Sequence, residues 1–338
     1  MADAVDTSLR LTEWTSCGGC AAKWGGSPLA ALVRSMTPSD AAAAGLLVGL
    51  APFDDAAVLR VGDGLALVST TDFFPPLVDD PSDFGAIAAA NACSDVFAMG
   101  GRVVLALNIA AFPERLPTEA IAAIFASARA VVEEAGGVIA GGHTIRSDEP
   151  IFGLAVQGLV NPERILTKGG SRPGDALVLS KPIGTGIVLA GGTDDAKAAA
   201  ITHMRSLNRA ASEALLALGD GCHGATDVTG YGLAGHSWEV AERSAATVVL
   251  DTAAVPLYDG ALAAAAAGTR TGGDARNRTY LDGHIDVGAV DDALVALCFD
   301  PQTSGGLLAS VDPAAVGDLP GFTVVGEVAA GDARVTLA

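Results

Sequence analysis

Residues 65–101 read LALVSTTDFFPPLVDDPSDFGAIAAANACSDVFAMGG, and this stretch decides the class of fold. It begins with an apolar run that predicts a β-strand ending at Asp72. The alanine-rich segment 83–99 predicts a helix, with Ser82 or Asp83 as its cap and two glycines after its end. A buried strand followed by a helix is the building unit of α/β and α+β proteins, so we expect that architecture.

The same alternation continues along the rest of the chain. Further strands are predicted at residues 102–110, 138–140, 151–160, 176–180, 247–250 and 322–328. Helices are predicted at residues 118–135, 195–218 and 261–267. Between the two halves, residues 161–175 contain two prolines and three glycines, a composition that predicts a domain boundary. We therefore expect an arm and lead-in over 1–50, a first domain over 51–165 and a second, α+β domain over 166–338.

Composition limits the classes of function. The 338 residues carry a formal net charge of −19, which argues against a broad nucleic-acid surface. No uncharged apolar run reaches membrane-spanning length, and the N-terminus lacks the basic and apolar regions of a signal peptide. Five cysteines fit reduced thiols better than a disulfide framework. We expect a cytoplasmic protein with no nucleic-acid or membrane partner.

Residues 15–23, TSCGGCAAK, place a thiol three residues before an ammonium group in a glycine-bearing arm. A nearby lysine lowers the pKa of a cysteine, so Cys20 and Lys23 suggest a nucleophile or a carrier of a soft atom. Cys17 and Cys20 also have the spacing of half a zinc site or of a thioredoxin-like redox pair. No second Cys or His pair stands at finger spacing, and two glycines near the chain end do not fit a redox helix.

Carboxylates occur in four specific settings. The residues are Asp54 and Asp55 before an apolar strand, Asp72 at a strand end, Asp95 on the predicted helix and Asp227 in a glycine-bearing segment. Magnesium takes oxygen ligands and shares them with substrate phosphates, so carboxylates from separate segments suit a magnesium–polyphosphate site. Each also has a simpler explanation, as a turn residue or an exposed helix carboxylate. Spacing alone leaves both interpretations open.

Common nucleotide motifs are missing from the chain. There is no Gly-x4-Gly-Lys-Ser/Thr loop and no protein-kinase signature. The segment Gly184-Thr185-Gly186 lacks the third glycine of the dinucleotide fingerprint. An ATP site in this chain therefore requires aspartates that hold a metal against the phosphates.

Taken together, these features resemble the selenophosphate synthetases (selenide, water dikinases). The resemblance is carried by LT at 11–12, CAAK at 20–23, DDAAV at 54–58, STTDFF at 69–74, DFG at 83–85, NACSDVFAMGG at 91–101, AGGHT at 140–144, PIFGLAV at 150–156, TDVTG at 226–230 and DPQTSGGLL at 300–308. It implies the aminoimidazole ribonucleotide synthetase-like fold, with an N-terminal ATP- and metal-binding domain that dimerises through its sheet. It also implies conversion of ATP, selenide and water into selenophosphate, AMP and orthophosphate.

The resemblance also implies roles for individual residues. Cys20 and Lys23 correspond to the catalytic cysteine and lysine. The metal ligands implied are Asp55, Asp72, Asp95 and Asp227, and the ATP-binding residues implied are Lys23, Asp54, Asp72, Asp95, Gly142, His143 and Thr144. Asn91 is a second-tier candidate, since it shares a helix face with Asp95. The loop around His143 is expected to reach the nucleotide of the partner subunit in a homodimer.

Two departures and two rivals accompany this interpretation. Many bacterial members carry a second cysteine two positions after the catalytic one, whereas this chain has Ala22 there and an extra thiol at Cys17. Another superfamily enzyme, such as a thiamine-monophosphate kinase, shares the aspartates but lacks the Cys-x-x-Lys arm. A non-catalytic relative that binds nucleotide or delivers selenium is the rival from a different class. A selenium-delivery protein is a further expected partner.

Overall fold

A computed structural model describes residues 9–22, 36, 45–50 and 53–338 of the chain. The described residues form two β-sheets with helices packed against them. This mixed architecture confirms the α/β and α+β expectation.

The first sheet has six strands in the order β1-β2-β3-β6-β4-β5, and only β4 and β5 run parallel. The strands are β1 Leu46–Val48, β2 Ala57–Gly62, β3 Leu65–Phe74, β4 Arg102–Phe112, β5 Val138–Arg146 and β6 Ile151–Val160. Helices α1 (Pro81–Ala98) and α2 (Thr118–Glu134) pack against each other and against this sheet. Their contact encloses an apolar core that contains Phe84, Ile124 and Phe152.

Helix α1 is the central element of this half. Nearly all of its residues are buried, which explains why its sequence is apolar on every side rather than on one stripe. The predicted cap at Ser82 or Asp83 is wrong, because Asp80 accepts the backbone N–H of Asp83 and Pro81 occupies the first helical position. A Cβ atom on Gly85 would lie 2.2 Å from the carbonyl oxygen of Ile124, so glycine permits the close approach of α2.

The second sheet has seven strands in the order β10-β13-β9-β12-β7-β11-β8. The strands are β7 Ala176–Leu179, β8 Cys222–Asp227, β9 Thr247–Leu250, β10 Ile285–Asp286, β11 Leu307–Val311, β12 Thr323–Ala329 and β13 Arg334–Leu337. The helices are α3 Thr185–Gly191, α4 Asp194–Met204, α5 Arg209–Ala217, α6 Gly232–Ser244, α7 Ala261–Ala266, α8 Asp274–Tyr280 and α9 Asp292–Phe299. A second apolar core lies among these elements.

The single helix predicted over residues 195–218 is two helices, α4 and α5, separated by a short break. Asn208 lies in that break with its side chain buried. Its amide nitrogen donates to the hydroxyl of Ser94 and to the carbonyl oxygen of Gly305, both at 2.8 Å. These long-range bonds connect the break to α1 and to residues just before β11. Local helix propensity contains no information about such bonds, so the break was not predicted.

Within the part of the chain that the structure describes, every helix is too short or too polar to span a lipid bilayer.

Candidate active site

Three carboxylates from distant parts of the chain converge in one cluster. Asp55 lies just before β2, Asp95 lies on α1, and Asp227 is the last residue of β8. One oxygen from each lies within 4.8 Å of those from the other two. The cluster therefore requires both sheets to be folded and packed together.

Asp55 presents its two oxygens differently. Its Oδ1 atom lies 2.9 Å from the Nζ atom of Lys168 and accepts the hydroxyl of Thr226 at 2.9 Å. Its Oδ2 atom is buried and has no hydrogen-bond partner. A buried oxygen without a partner is costly unless a cation or donor binds it, so Oδ2 is the atom that is available to a metal.

A buried network of charged side chains extends from Asp55 into the second half. Lys168 Nζ donates to Glu239 Oε2 at 2.8 Å, and Glu239 in turn lies 3.0 Å from His236 Nδ1. Burial disfavours the charge on Lys168, but Asp55 and Glu239 raise its pKa well above the ordinary lysine value. Burial also opposes ionisation of Glu239, yet Lys168 and His236 hold the pKa of Glu239 well below its usual range. The network therefore holds opposite charges in a buried environment.

His236 has a structural role in this network. Its Nε2 atom accepts the backbone N–H of Thr229 at 3.0 Å. Since Nε2 is an acceptor, Nδ1 carries the proton that points toward Glu239. His236 thus connects the network to the backbone that follows Asp227.

Two hydrogen bonds between α1 and β3 hold the side chains of Asp72 and Asp95. Asn91 and Asp95 lie four residues apart on the same face of α1. Asn91 Nδ2 donates to Asp72 Oδ2 at 2.5 Å, and the hydroxyl of Thr70 on β3 donates to Asp95 Oδ2 at 2.5 Å. Asp72 is not part of the cluster of three carboxylates. It is connected through Asn91 to the thiol of Cys20, which is described next.

Cys20 lies at the edge of this group and is only 1% exposed. Its Sγ atom donates to Asn91 Oδ1 at 3.4 Å, and its backbone N–H donates to Thr303 Oγ1 at 3.1 Å. The two glycines before it permit this approach, because a Cβ on Gly18 would lie 2.2 Å from the carbonyl oxygen of Pro76. The structure thus places the predicted thiol beside the predicted carboxylates.

Two predictions about the arm have different outcomes. Lys23 lies outside the described residues, so its position stays a prediction. Cys17 is half-buried and is not paired in a disulfide. Among the described residues, the metal-type cluster consists of aspartates and contains no cysteine, which gives no support to the zinc alternative.

Asp54 is next to the cluster but faces a different partner. Its Oδ2 atom accepts the backbone N–H of Lys168 at 3.1 Å. Burial, and then the charge of Asp55, raises the pKa of Asp54 to about 7, against the opposing effect of Lys168. Asp54 therefore fixes the backbone at Lys168 in the described structure.

The residues Gly142, His143 and Thr144 lie on β5, away from the cluster. In the cross-strand rows, Asp72 pairs with Leu154, Leu154 with Asn108, and Asn108 with Gly142. Three strand spacings separate Asp72 from Gly142, a distance of about 14 Å. One protomer therefore does not bring these residues together.

The three clustered carboxylates fit a magnesium ion. The donor set consists only of carboxylate oxygens, which hard cations prefer. Asp55 also carries a buried Oδ2 atom that has no hydrogen-bond partner. Three carboxylates this close repel one another, so a cation between them would relieve the repulsion. Asp55, Asp95 and Asp227 are the residues that would hold it.

Several residues at the site were missed by sequence reasoning. Lys168 stands in a segment that we read only as a domain boundary, and no local pattern marks it. Thr226 and Thr303 belong to the TDVTG and DPQTSGGLL blocks, so membership of those blocks was the available signal. Their contacts cross from one half of the chain to the other, which no local pattern encodes.

Two sequence families match the chain. The family described as AIR synthase related protein, N-terminal domain, matches residues 53–160. The family described as AIR synthase related protein, C-terminal domain, matches residues 172–336.

Two similar proteins share one description. A selenide, water dikinase of Caldanaerobacter subterraneus subsp. tengcongensis is 42% identical over 310 residues, which cover 90% of this chain and 88% of that protein. A selenide, water dikinase of Burkholderia cenocepacia is 43% identical over 345 residues and covers 97% of both chains.

Solved structures with low sequence identity share the fold. AaThiL complexed with AMPPCP and TMP superposes with a TM-score of 0.71 at 19% identity, over 98% of this chain and 96% of that one. The hydrogenase maturation protein HypE in complex with ATP superposes with a TM-score of 0.61 at 21% identity, over 85% of each chain.

Proposed function

The chain belongs to the selenide, water dikinase family, and from this premise we propose that it converts ATP, selenide and water into selenophosphate, AMP and orthophosphate. The observation that carries the proposal is the position of Cys20. The thiol is hydrogen-bonded to Asn91, which also binds Asp72, and such a soft atom beside oxygen ligands supports a role in handling selenide. A thiamine-monophosphate kinase or an aminoimidazole ribonucleotide synthetase has no comparable use for it.

We propose that the carboxylates bind ATP through magnesium. Asp55, Asp95 and Asp227 offer the clustered oxygens. Asp72 accepts a hydrogen bond from Asn91, which lies four residues before Asp95 on α1. Magnesium bound there would neutralise phosphate charge and fix the polyphosphate for attack. Asp54 adjoins the nucleotide in this proposal.

The arm supplies the remaining chemistry. In this proposal Lys23 neutralises charge on the transferred phosphate, and Cys20 acts at the γ-phosphate where selenide is phosphorylated. The buried position of Cys20 supports closure of the arm over the site, which would exclude water until selenide has reacted. The ADP-level product is then hydrolysed to AMP in the same site.

We also propose a homodimer in which the Gly142-His143-Thr144 segment of one subunit contacts the nucleotide of the other. Two observations support it. The strand that carries this segment is at the edge of the first sheet, and its apolar residues Val138 and Ile145 are 52% and 55% exposed. Exposed apolar groups on an unpaired strand edge favour a partner.

The remaining proposals concern organisation and surroundings. We propose the division into an arm over 1–50, an ATP- and metal-binding dimerisation domain over 51–165 and an α+β domain over 166–338. The five unpaired thiols suit a reducing compartment, and we propose the cytoplasm. A selenium-delivery protein is the proposed source of selenide.

The proposal is tested by incubating the protein with ATP and Mg²⁺, with and without selenide, and measuring AMP. We expect AMP only when selenide is present. Cys20→Ser and Lys23→Ala should abolish it, whereas Cys222→Ser, at a half-buried thiol on β8, should not. Selenide-independent formation of ADP alone would indicate a different kinase of the superfamily. Binding of ATP without any turnover would indicate the non-catalytic relative.

A further inference from the structure

The turn at residues 302–306 has an unusual backbone. Ser304 has a φ of +52°, a left-handed conformation that residues other than glycine rarely adopt. The residue is 1% exposed, so neighbouring groups must hold it there. Its carbonyl oxygen accepts Lys181 Nζ at 3.1 Å, and its backbone N–H donates to Asn91 Oδ1 at 2.8 Å. These bonds stabilise a turn that the backbone alone would disfavour.

Side chains on the other side of the turn also hold it in place. The Oε1 atom of Gln302 accepts the backbone N–H groups of Gly184 and Thr185, at 2.9 and 3.0 Å. The backbone N–H of Thr303 donates to the hydroxyl of Thr185 at 3.3 Å. Thr303 is therefore held from both sides and is 5% exposed. Because the backbone of Thr303 is fixed, its side chain can orient a segment that it contacts.

What Thr303 contacts is the segment that carries the thiol. Its Oγ1 atom accepts the backbone N–H of Cys20 at 3.1 Å, although the two residues are 283 positions apart. A Cβ on Gly19 would lie 2.8 Å from that Oγ1 atom, and Gly19 itself has a φ of +60°. Glycine at this position thus lets the backbone approach the hydroxyl.

A second group from the same half binds the next residue. The guanidinium of Arg276 donates to the carbonyl oxygen of Ala21. The backbone on both sides of Cys20 is therefore held by the second half of the chain, while its sulfur contacts Asn91 in the first half. Asn91 Oδ1 also accepts Ser304, so the sulfur and the turn share one acceptor atom.

We propose that Thr303 is the positioning residue for Cys20: its hydroxyl fixes the backbone of the arm so that the sulfur lies against Asn91. Arg276 assists by binding the adjacent carbonyl. The claim that the position of Cys20 matters for selenide phosphorylation rests on the function proposed above. The claim that Thr303 fixes the position of Cys20 does not depend on that function. Thr303 touches neither the carboxylate cluster nor the sulfur in the described contacts, so its effect passes through the backbone of Cys20.

The test compares three variants of the full-length protein. Thr303→Val removes the hydroxyl and keeps the shape, Thr303→Ser keeps the hydroxyl, and Arg276→Gln removes the guanidinium. The matched control is Thr252→Val, because Thr252 is an equally buried threonine whose hydroxyl donates to the carbonyl oxygen of Ala338. The unliganded protein is labelled with iodoacetamide, and mass spectrometry measures the labelling of the Cys20 peptide. The labelling rate reports how often the segment around Cys20 leaves its buried position.

We expect Thr303→Val to raise the labelling rate of Cys20 about fivefold, the factor that corresponds to loss of one hydrogen bond. Thr303→Ser and Thr252→Val should label like the unmodified protein, and Arg276→Gln should label faster. Selenide-dependent AMP formation should fall by a similar factor in Thr303→Val through kcat, with KM for ATP unchanged.

Unchanged labelling in Thr303→Val would overturn the proposal, whatever the activity of that variant and whatever the result for Arg276→Gln. The same conclusion follows if Thr303→Ser labels as fast as Thr303→Val, because the hydroxyl would then be irrelevant. If Thr303→Val does not fold, as judged by its thermal unfolding, Thr303→Ala replaces it and the comparison with Thr303→Ser decides the outcome. Failure of the proposed function would appear instead as selenide-independent turnover in the unmodified protein, with the labelling results intact.

Discussion

The Nζ atom of Lys168 lies 2.9 Å from Oδ1 of Asp55, and both side chains are almost completely buried. The same Nζ atom lies 2.8 Å from Glu239, so one ammonium group serves two carboxylates. Lys168 binds Oδ1 of Asp55, whereas Oδ2 of Asp55 is buried and has no hydrogen-bond partner. The lysine thereby fixes the side chain of Asp55, a proposed metal ligand, through one of its two oxygens.

Replacing Lys168 should strongly destabilise the fold. In Lys168→Met, Asp55 and Glu239 would remain buried without a counter-charge, a change that costs about 3 to 5 kcal/mol. Urea unfolding measures the loss. The control is Arg129→Met, which removes an exposed ion pair with Glu133 and should cost at most about 1 kcal/mol. Equal losses in the two variants would contradict the importance of the buried network.

Removing one clustered carboxylate should weaken magnesium binding. Asp95→Asn keeps the size of the side chain but removes its charge, so we expect the Mg²⁺ affinity measured by calorimetry to fall at least about tenfold. The control is Asp274→Asn, whose aspartate pairs with Arg278 on the surface. Chelation of the metal should also lower the thermal midpoint of the unmodified protein but not that of Asp95→Asn. Unchanged affinity in Asp95→Asn would exclude this cluster as the metal site.

Asp300 should make stability depend on pH. Burial raises the pKa of Asp300 to about 7, against backbone and Gln302 hydrogen bonds that lower it. Between about pH 4 and about pH 7 the folded state therefore keeps a proton that the unfolded chain has lost. Its contribution to the free energy of unfolding falls as the pH rises through this window. Measured by urea unfolding between about pH 4 and about pH 7, the free energy of unfolding should fall less steeply with pH in Asp300→Asn than in the unmodified protein. Identical slopes in the two proteins would contradict a raised pKa of Asp300.

A methyl group on Gly18 should displace the arm without unfolding the protein. In Gly18→Ala the new Cβ would lie 2.2 Å from the carbonyl oxygen of Pro76, so the segment could not occupy its seat. We expect faster iodoacetamide labelling of Cys20 and at least about tenfold less selenide-dependent AMP, since catalytic groups must be held within a fraction of an ångström. Global stability should change by less than about 1 kcal/mol, because the arm is peripheral to the cores.

The control for that variant is Gly62→Ala, where a Cβ would meet no atom within 4 Å. In Gly62→Ala the labelling rate of Cys20 and the rate of AMP formation should equal those of the unmodified protein. Normal labelling of Cys20 in Gly18→Ala would mean that the docked position of the arm is not the one that the protein adopts in solution.

Much of the fold could be predicted because its elements carry local signals. The strand over residues 151–160 and the strand over 247–250 were predicted at their observed ends, and helix α1 was predicted to within two residues at its start. Errors arose where a distant contact decides the outcome. The break between α4 and α5 is one example, since Asn208 binds Ser94 and Gly305 there.

The site was predictable only as a set of residue types. The sequence marked Asp55, Asp95 and Asp227 as oxygen ligands and Cys20 as a reactive thiol, and the structure brings them into one region. It gave no signal for Lys168, because a lysine in a glycine-rich segment has the pattern of an ordinary loop residue. Its partners lie 113 residues before it and 71 residues after it.

The amino-acid sequence by itself determined the class of fold, most of the strands and helices, and the kinds of ligand that the site offers. These follow from hydrophobic periodicity, capping residues and side-chain chemistry, all of which act over a few neighbouring positions. Only the tertiary structure decided which oxygen of Asp55 binds Lys168, that Asp72 is connected to the thiol through Asn91, and that Thr303 binds the backbone of Cys20. Those relationships join residues separated by up to 283 positions, so they depend on how two packed halves meet rather than on any local preference.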